Sequence, residues 1–590
     1  MRADNSRLAA ARSHVLATLF LALLPGAAAA QQPPFPHPSA PADRVEKVRQ
    51  ALQQFGRDAD SRTAAQKELD ERAAALRGAA ELGKALILDE WGLFAVPDLP
   101  NPAGREGIGK RFEKALREAL EKGGAARQCA AATLFGEMGA APREGHRPNL
   151  GPDALLTAVL SRLLPDVAGL SASPDGGVRE AAARALGRYS LEPENAVKEL
   201  GKFLGDKEAA VKRAAAEGLV RQARGGDATP GTLGSPSRGP AAIATACGAV
   251  VPAAAKGLND DDEQVSRHCA DAIKQAARAL GQAVRSTDGP GRLLILGPPG
   301  LRPPVPPGAA GEDEVIAKLW EPFRPAAGAL GAAARSLTPL LKSASAARRV
   351  RACQALEAVA EFRAHTLRMA GSPGALAKAL GAKEAKEDPV LAGLKEALPD
   401  LARCVAREDV EERLAALYVL EALGLEAVPA AVAASKALAD GDPFVRWAAA
   451  RVLGKVAPAK PVLLVAALAE KVGDENGDVR ITVLAALERY GPAAVGAVKE
   501  VSQALKGGDE QTRLWAVRVL AAIGPEGREK TTAPLLEALS AKEVAVRRIA
   551  VRALAGFGKP GATATDALRA ALKDDDAEVR RLASEALLVE

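Results

Sequence analysis

The chain has 590 residues, 48% of them apolar but only 3% aromatic, with 79 basic against 73 acidic side chains and a formal charge of +6. Near-balanced, interspersed charge argues against strong nonspecific nucleic-acid binding, and the length is far above the size at which burying a core becomes difficult. Abundant alanine with so few aromatic residues suits closely packed helices and excludes an ordinary sheet-rich core.

At the N-terminus Arg2, Arg7 and Arg12 precede an apolar run from Val15 to Leu24, followed by PGAAAAQQ. This order predicts a secretory signal over residues 1–30, cleaved after Ala30, and export to the periplasm or the extracellular space. The run is shorter than the roughly 20 residues a comfortable membrane span needs, so no stable membrane insertion is expected after cleavage. QPPFPHPSAP marks a Pro-rich spacer at 31–42. Residues 43–150 read as a divergent N-terminal helical cap, in which ARQCAAATLFGEMG at 126–139 has the pattern of a second helix of an irregular unit.

Between 151 and 288 a spacing emerges. Val178, Arg179, Ala182 and Leu186 are followed 33 residues later by Val211, Lys212, Ala215 and Leu219. Asp175 and Glu208 stand three residues before these anchors. Val265, Cys269 and Ile273 repeat the frame behind Asp262, with Ser266 where the basic residue belongs. A Gly, Pro and Ser-rich insertion near 223–240 separates this copy from the last. Residues 289–314 form a Pro/Gly-rich loop. Its LGPPG lacks the lysine and hydroxyl of a phosphate loop, and its prolines lack the backbone donors such a cradle needs. Residues 315–426 read as degenerate helical repeats. The last of these takes Val410 as its anchor, 35 residues before Val445, with Leu414 and Tyr418 at plus four and plus eight.

From 427 to 590 the repeat is regular. Val445, Val479, Thr512, Val546 and Val579 are spaced by 34, 33, 34 and 33 residues. Each is followed by an arginine, an apolar residue at plus four and a leucine at plus eight, which share one helix face. Asp442, Asn476, Asp509 and Asp576, three before their anchors, are predicted N-caps, and Glu543 at the same place complements the helix dipole. A second apolar segment precedes each such helix, so two short helices form a unit that must stack on its neighbours to bury its face. The expected fold is an all-α solenoid of stacked helix pairs.

The D-x-x-V-R-x-x-A-x-x-x-L pattern resembles the HEAT-repeat family, in particular the short bacterial form found in phycobilisome lyase-type repeats. The resemblance implies a HEAT-like superhelix whose second helices line a concave surface. It also implies that Arg446, Arg480, Arg513, Arg547 and Arg580 form a structural ladder between units.

Candidate chemistry is sparse. No zinc-protease, haem-attachment or nucleophile-elbow motif occurs. His268 and Cys269 point in different directions on a helix, and all five cysteines (Cys129, Cys247, Cys269, Cys353 and Cys404) read as small packed side chains. Neither a metal nor another cofactor is expected, since adjacent acids such as Asp574, Asp575 and Asp576 serve a loop and cap. At plus six, facing away from the buried positions, stand Arg184, Arg451, Arg518 and Arg552. They are either solvated surface charge or part of an anion-binding groove. Residues 441–590 carry 22 basic and 20 acidic side chains, which again disfavours nucleic acid. The expected function is a non-enzymatic protein-binding scaffold with an unidentified protein partner. The alternative is an accessory subunit or enzyme related to repeat-containing lyases.

Overall fold

The computed structural model describes residues 113–114, 116–139, 154–224, 240–286, 320–370, 372–380, 388–456, 461–558 and 562–588. The chain divides into two units, Met1–Ala74 and Ala75–Glu590, and every described residue lies in the second. The signal segment, the spacer, most of the 43–150 cap, most of the insertion near 223–240 and the 289–314 loop fall outside the described residues.

Helix α1 (Ala125–Met138) is followed by the pairs α2 (Ala154–Gly169) and α3 (Gly176–Arg188), α4 (Pro193–Phe203) and α5 (Ala209–Ala223), α6 (Pro240–Lys256) and α7 (Glu263–Ser286), and α8 (Arg324–Leu337) and α9 (Ala346–Ala370). After the short α10 (Pro373–Ala379) come α11 (Pro389–Cys404) with α12 (Val410–Leu423), α13 (Ala431–Ala437) with α14 (Pro443–Val456), and α15 (Val462–Ala469) with α16 (Gly477–Tyr490). The last pairs are α17 (Val498–Gly507) with α18 (Glu510–Ile523), α19 (Arg528–Ala538) with α20 (Val544–Gly556), and α21 (Ala562–Ala571) with α22 (Ala577–Leu587). Second helices pack on second helices, from α1 and α3 through to α20 and α22, while first helices form a parallel row beside them. This is an α-solenoid of stacked helix pairs.

Several second helices start where the sequence supplies an acceptor. Asp442 accepts from the Phe444 amide at 2.8 Å, Asn476 from Val479 at 3.1 Å, Asp509 from Thr512 at 2.7 Å and Asp576 from Val579 at 3.0 Å. The Thr512 amide and the Arg480 guanidinium hold the Asp509 carboxyl down at about 2. Glu543 and Glu208 make no side-chain cap, because their carboxylates are turned to Arg513 and Arg179 of the preceding unit. At the other end, Gly424, Gly491 and Gly524 close α12, α16 and α18 with φ of 58°, 54° and 71°. That left-handed turn costs a residue without Cβ little, and it returns the chain to the first-helix row.

The interior explains the alanine. Anchors Val445, Val479, Thr512, Val546 and Val579 are buried, as are Ala449, Val483, Ala516, Ala550 and Ala583 at plus four. Small residues let second helices approach closely: a Cβ on Gly187 would sit 2.5 Å from the Gly218 Cα. At plus eight Leu453, Leu487, Leu520 and Leu554 are buried, but Leu587 is half-buried, since no further helix among the described residues covers it. Val410–Ala437 is apolar enough to span a membrane by composition, yet 56% of its most apolar window is buried inside the stack. Its apolar character is that of a packed core segment.

The arginine after each anchor ties units together in two directions. Arg446 donates back to the Asp440 and Gly441 carbonyls at 2.9 and 3.2 Å, in the loop that enters its own helix. It also reaches forward to both Asp474 oxygens of the next unit at 2.9 Å. Arg547 does the same with the Ala541 and Lys542 carbonyls behind it and Asp574 ahead, at 2.7 and 2.9 Å. Arg179 pairs forward with Asp206, Lys212 with Asp260 and Arg413 with Asp440. The receiving aspartate sits two residues before the cap and also accepts the cap residue's own amide, as Asp474 does from Asn476 at 3.0 Å. Burial alone would raise the Asp474 carboxyl, but Arg446 and the Asn476 amide together hold it below the usual range. Where that aspartate is missing, Arg480 and Arg513 turn to the residue at the cap position, Asp509 at 2.7 Å and Glu543.

Two expectations need correction, the Val410 register and the place of Arg580 in the ladder between units. The unit anchored on Val410 is shifted by two residues: Asp409 caps α12 through the Glu412 amide, so Glu412 is the anchor, with buried Ala416 and Leu420 at plus four and plus eight. Val410 is exposed and Leu414 and Tyr418 are only partly buried. Glu412 is fully buried because it receives Arg349 of the preceding unit through two hydrogen bonds of 2.7 Å. At the unit anchored on Val265, Ser266 donates to the Leu258 carbonyl at 2.6 Å, and Arg348 of the next unit donates to the Asp260 and Asp261 carbonyls. Arg580 braces its own loop at the Asp574 and Asp575 carbonyls and bridges to no later unit among the described residues.

Two comparisons test this packing. Leu520→Ala should lower local stability by about 2–5 kcal/mol through the cavity it leaves, whereas Leu587→Ala should cost clearly less. Native-state hydrogen exchange reads each unit separately, which suits an array whose stability is a sum over units and interfaces. Likewise Glu412→Ala, which strands the buried Arg349 guanidinium, should cost about 3–5 kcal/mol. Arg580→Ala removes an exposed brace and should cost under about 1 kcal/mol. Equal losses at the two positions would contradict the tie between units.

Candidate partner-binding surface

In the regular units, positions plus two and plus six of the second helices are partly or fully exposed, while plus three and plus nine vary, with Ala448 buried but Trp515 and Glu488 half-buried, and the chemistry there is uneven. Trp447 and Trp515, both half-buried, carry Arg451 and Arg518 stacked over their rings at 4.5 and 4.1 Å. The same arginines cross to the previous second helix, Arg451 to Glu421 and Arg518 to Glu488, each through Nε at 3.0 Å. Lys455 also donates to Glu421 at 2.8 Å. Both guanidinium groups are thus pinned between an indole and a carboxylate, with their position fixed before any partner arrives.

The four plus-six arginines are not equivalent. Arg184 folds onto Glu180 of its own helix at 2.7 Å, far along the stack from the others. Arg552 has 68% of its side chain exposed and approaches Glu578 at 3.6 Å. Arg518 and Arg552 come together at one cleft of about 570 Å³ between α18 and α20. Leu514, Ile549 and Phe557 give it apolar walls, Gly524 and Pro525 form one end, and Glu488 lies at its edge. The groove is therefore mixed, apolar with two cations and one anion, and differs from a uniformly anion-binding surface. The tryptophans and the plus-nine glutamates were not singled out by the repeat pattern. Their signal is relational, since a +9 acid matters only once the next unit's +6 base is known to lie against it.

Potential reactive groups are withdrawn from this surface. Burial pushes the Cys269 thiol up to about 12 and depresses the His268 imidazole. A thiol of that kind stays protonated and unreactive at neutral pH. Among the described residues no group of three or more His, Cys, Asp or Glu side chains converges as a metal site.

Comparison with known proteins adds the following. A family model described as HEAT repeats matches residues 167–233 and 498–588. No curated protein matches the chain significantly. A crystal structure of an engineered protein aligns with 80% of this chain and 98% of its own at 20% identity and a TM-score of 0.38. A designed armadillo repeat protein aligns with 32% of this chain and 98% of its own at 20% identity and a TM-score of 0.28. Importin beta aligns with 81% of this chain and 65% of its own at 14% identity and a TM-score of 0.37. The chain has a HEAT-repeat-like α-solenoid fold and is similar to HEAT repeats in sequence over those two segments.

Proposed function

We propose that the chain is a non-catalytic scaffold that holds a protein partner on its second-helix surface between α14 and α20. The observation that carries this reading is the pair of preorganised arginine-on-tryptophan stacks, Trp447 with Arg451 and Trp515 with Arg518, beside the cleft between α18 and α20. Tryptophan and arginine dominate the energetic centres of protein interfaces, and rigid placement reduces the ordering cost of binding. The mixed lining suits a segment that places an apolar side chain between Leu514, Ile549 and Phe557 and a carboxylate on Arg552.

Affinity capture with the purified chain, followed by mass spectrometry, tests the surface. A reproducible partner should bind about 30-fold more weakly to Trp515→Ala and be lost from Arg552→Glu, with folding retained. Unchanged capture by both variants would rule out this surface. Catalytic turnover by the purified chain, abolished by a polar substitution that leaves it folded, would instead favour the reading as an enzyme or accessory subunit related to lyase-type repeats.

The basic, apolar and small-residue order of residues 1–30 supports a scaffold that works outside the cytoplasm, in the envelope or periplasm. N-terminal sequencing of the cell-derived protein should begin at or close to Gln31. Protein retaining residues 1–30 in the cytoplasm would contradict export.

A further inference from the structure

Second helices touch through a repeating polar crossing, in which the plus-nine residue of one unit meets the plus-six residue of the next. Lys274 donates to Gln354 at 3.0 Å, Arg451 to Glu421 at 3.0 Å and Arg518 to Glu488 at 3.0 Å. With Arg348 and Glu412 as the anchors of α9 and α12, the same crossing sets Glu357 opposite Tyr418. A phenol supplies no positive charge, and Glu357 has no ion pair or hydrogen bond among the described residues. Of the three glutamate positions, Glu357, Glu421 and Glu488, Glu357 is thus the one with no guanidinium in hydrogen-bond contact among the described residues.

We propose that this vacant crossing is a receptor for one basic side chain, a lysine ammonium or an arginine guanidinium, of the protein partner. The proposal rests on the scaffold reading above. The protein itself shows the fit twice: Glu421 and Glu488, at the same position on sister helices, each hold a guanidinium that lies across the neighbouring helix. Among the described residues no side chain hydrogen-bonds or ion-pairs with Glu357, although Arg278 and Lys274 of α7 both act on it through space. Lys274 on α7 is held by Gln354, and Arg451 on α14 is held by Glu421 of α12. Arg278 on α7 acts on Glu357 through space, Glu361 adds like charge from α9 and Glu421 adds it from α12. Burial, then Glu361, push the Glu357 carboxyl up to about 7. An incoming cation favours the ionised form, so binding should weaken as pH falls below about 7. By the same sign, Glu357 lowers folding stability as pH rises from its ordinary value of 4.5 toward 7, and a bound cation relieves that loss.

The test uses n-butylguanidinium as probe and ¹³C-carboxyl NMR of the glutamate-labelled full chain, with the Glu357 signal assigned by its disappearance in Glu357→Gln. In the unliganded protein the signal should titrate near pH 7, and saturating probe should move the midpoint down by about one unit or more. Tyr418→Arg supplies the missing guanidinium. In that variant the midpoint should already be low and should not respond to the probe. A wild-type midpoint that ignores the probe, or a Tyr418→Arg protein that behaves like wild type, overturns the receptor. Partner capture then separates this inference from the reading it rests on. A partner that depends on Trp515 should be weakened at least about tenfold by both Glu357→Gln and Tyr418→Arg. A partner that depends on Trp515 but is indifferent to those two substitutions overturns the partner's use of the crossing. A chain that answers the probe but captures no partner contradicts the scaffold reading instead.

Discussion

Everything in the solenoid depends on one side chain being long enough to serve two units at once. The guanidinium after anchors such as Val445 and Val546 satisfies carbonyls five and six residues behind it, which would otherwise end a tight loop without donors. Its other nitrogens bind a carboxylate in the next loop. Loop closure and repeat stacking are therefore a single event. A lysine can replace only the forward half of the arrangement, as Lys212 does toward Asp260. The acid it meets is also bound to the amide of the cap residue, so the start of the next helix is fixed by the same contact.

Close helix approach follows from this bracing and in turn requires it. Alanine at plus four and glycine at crossings such as Gly187 with Gly218 bring backbones together, but such residues bury little apolar area each. The burial is spread thinly along the stack, and buried ion pairs set the register where aromatic packing is scarce. A pair of this kind adds less to stability than its Coulomb attraction suggests, because both groups are desolvated. What it supplies is an alignment that a slippery alanine interface would not define by itself. That alignment fixes the second-helix surface, where Arg451 and Arg518 are presented on their indoles at a set angle.

Much of the fold was legible because the buried frame is written in residue types that seldom vary for other reasons. Val, Ala and Leu at zero, four and eight, behind an Asp or Asn, specify a capped helix with one apolar face. The pattern failed where function of the position survived a change of residue type. Glu412 occupies a valine's place because Arg349 neutralises it, so a search for apolar anchors lands on exposed Val410. Ser266 reads as a gap, yet it donates to the Leu258 carbonyl, while Arg348, 82 residues away in sequence, reaches the Asp260 carbonyl. Glu543 looks like a helix-start residue, but Arg513 claims its carboxylate. The candidate surface was less legible still. The plus-six arginines could be found by counting, whereas their pinning by Trp447, Trp515, Glu421 and Glu488 depends on which helices lie side by side. Glu357 and Tyr418 carry meaning only as a mismatched pair.

A double-mutant cycle on Arg446 and Asp474, read by hydrogen exchange in α14 and α16, tests the central tie most directly. If one contact closes the loop and joins the units, each single alanine substitution should open both helices. The coupling between the two should then reach about 1–3 kcal/mol. Losses that add within about 0.5 kcal/mol, with α16 unaffected by Arg446→Ala, would contradict the account.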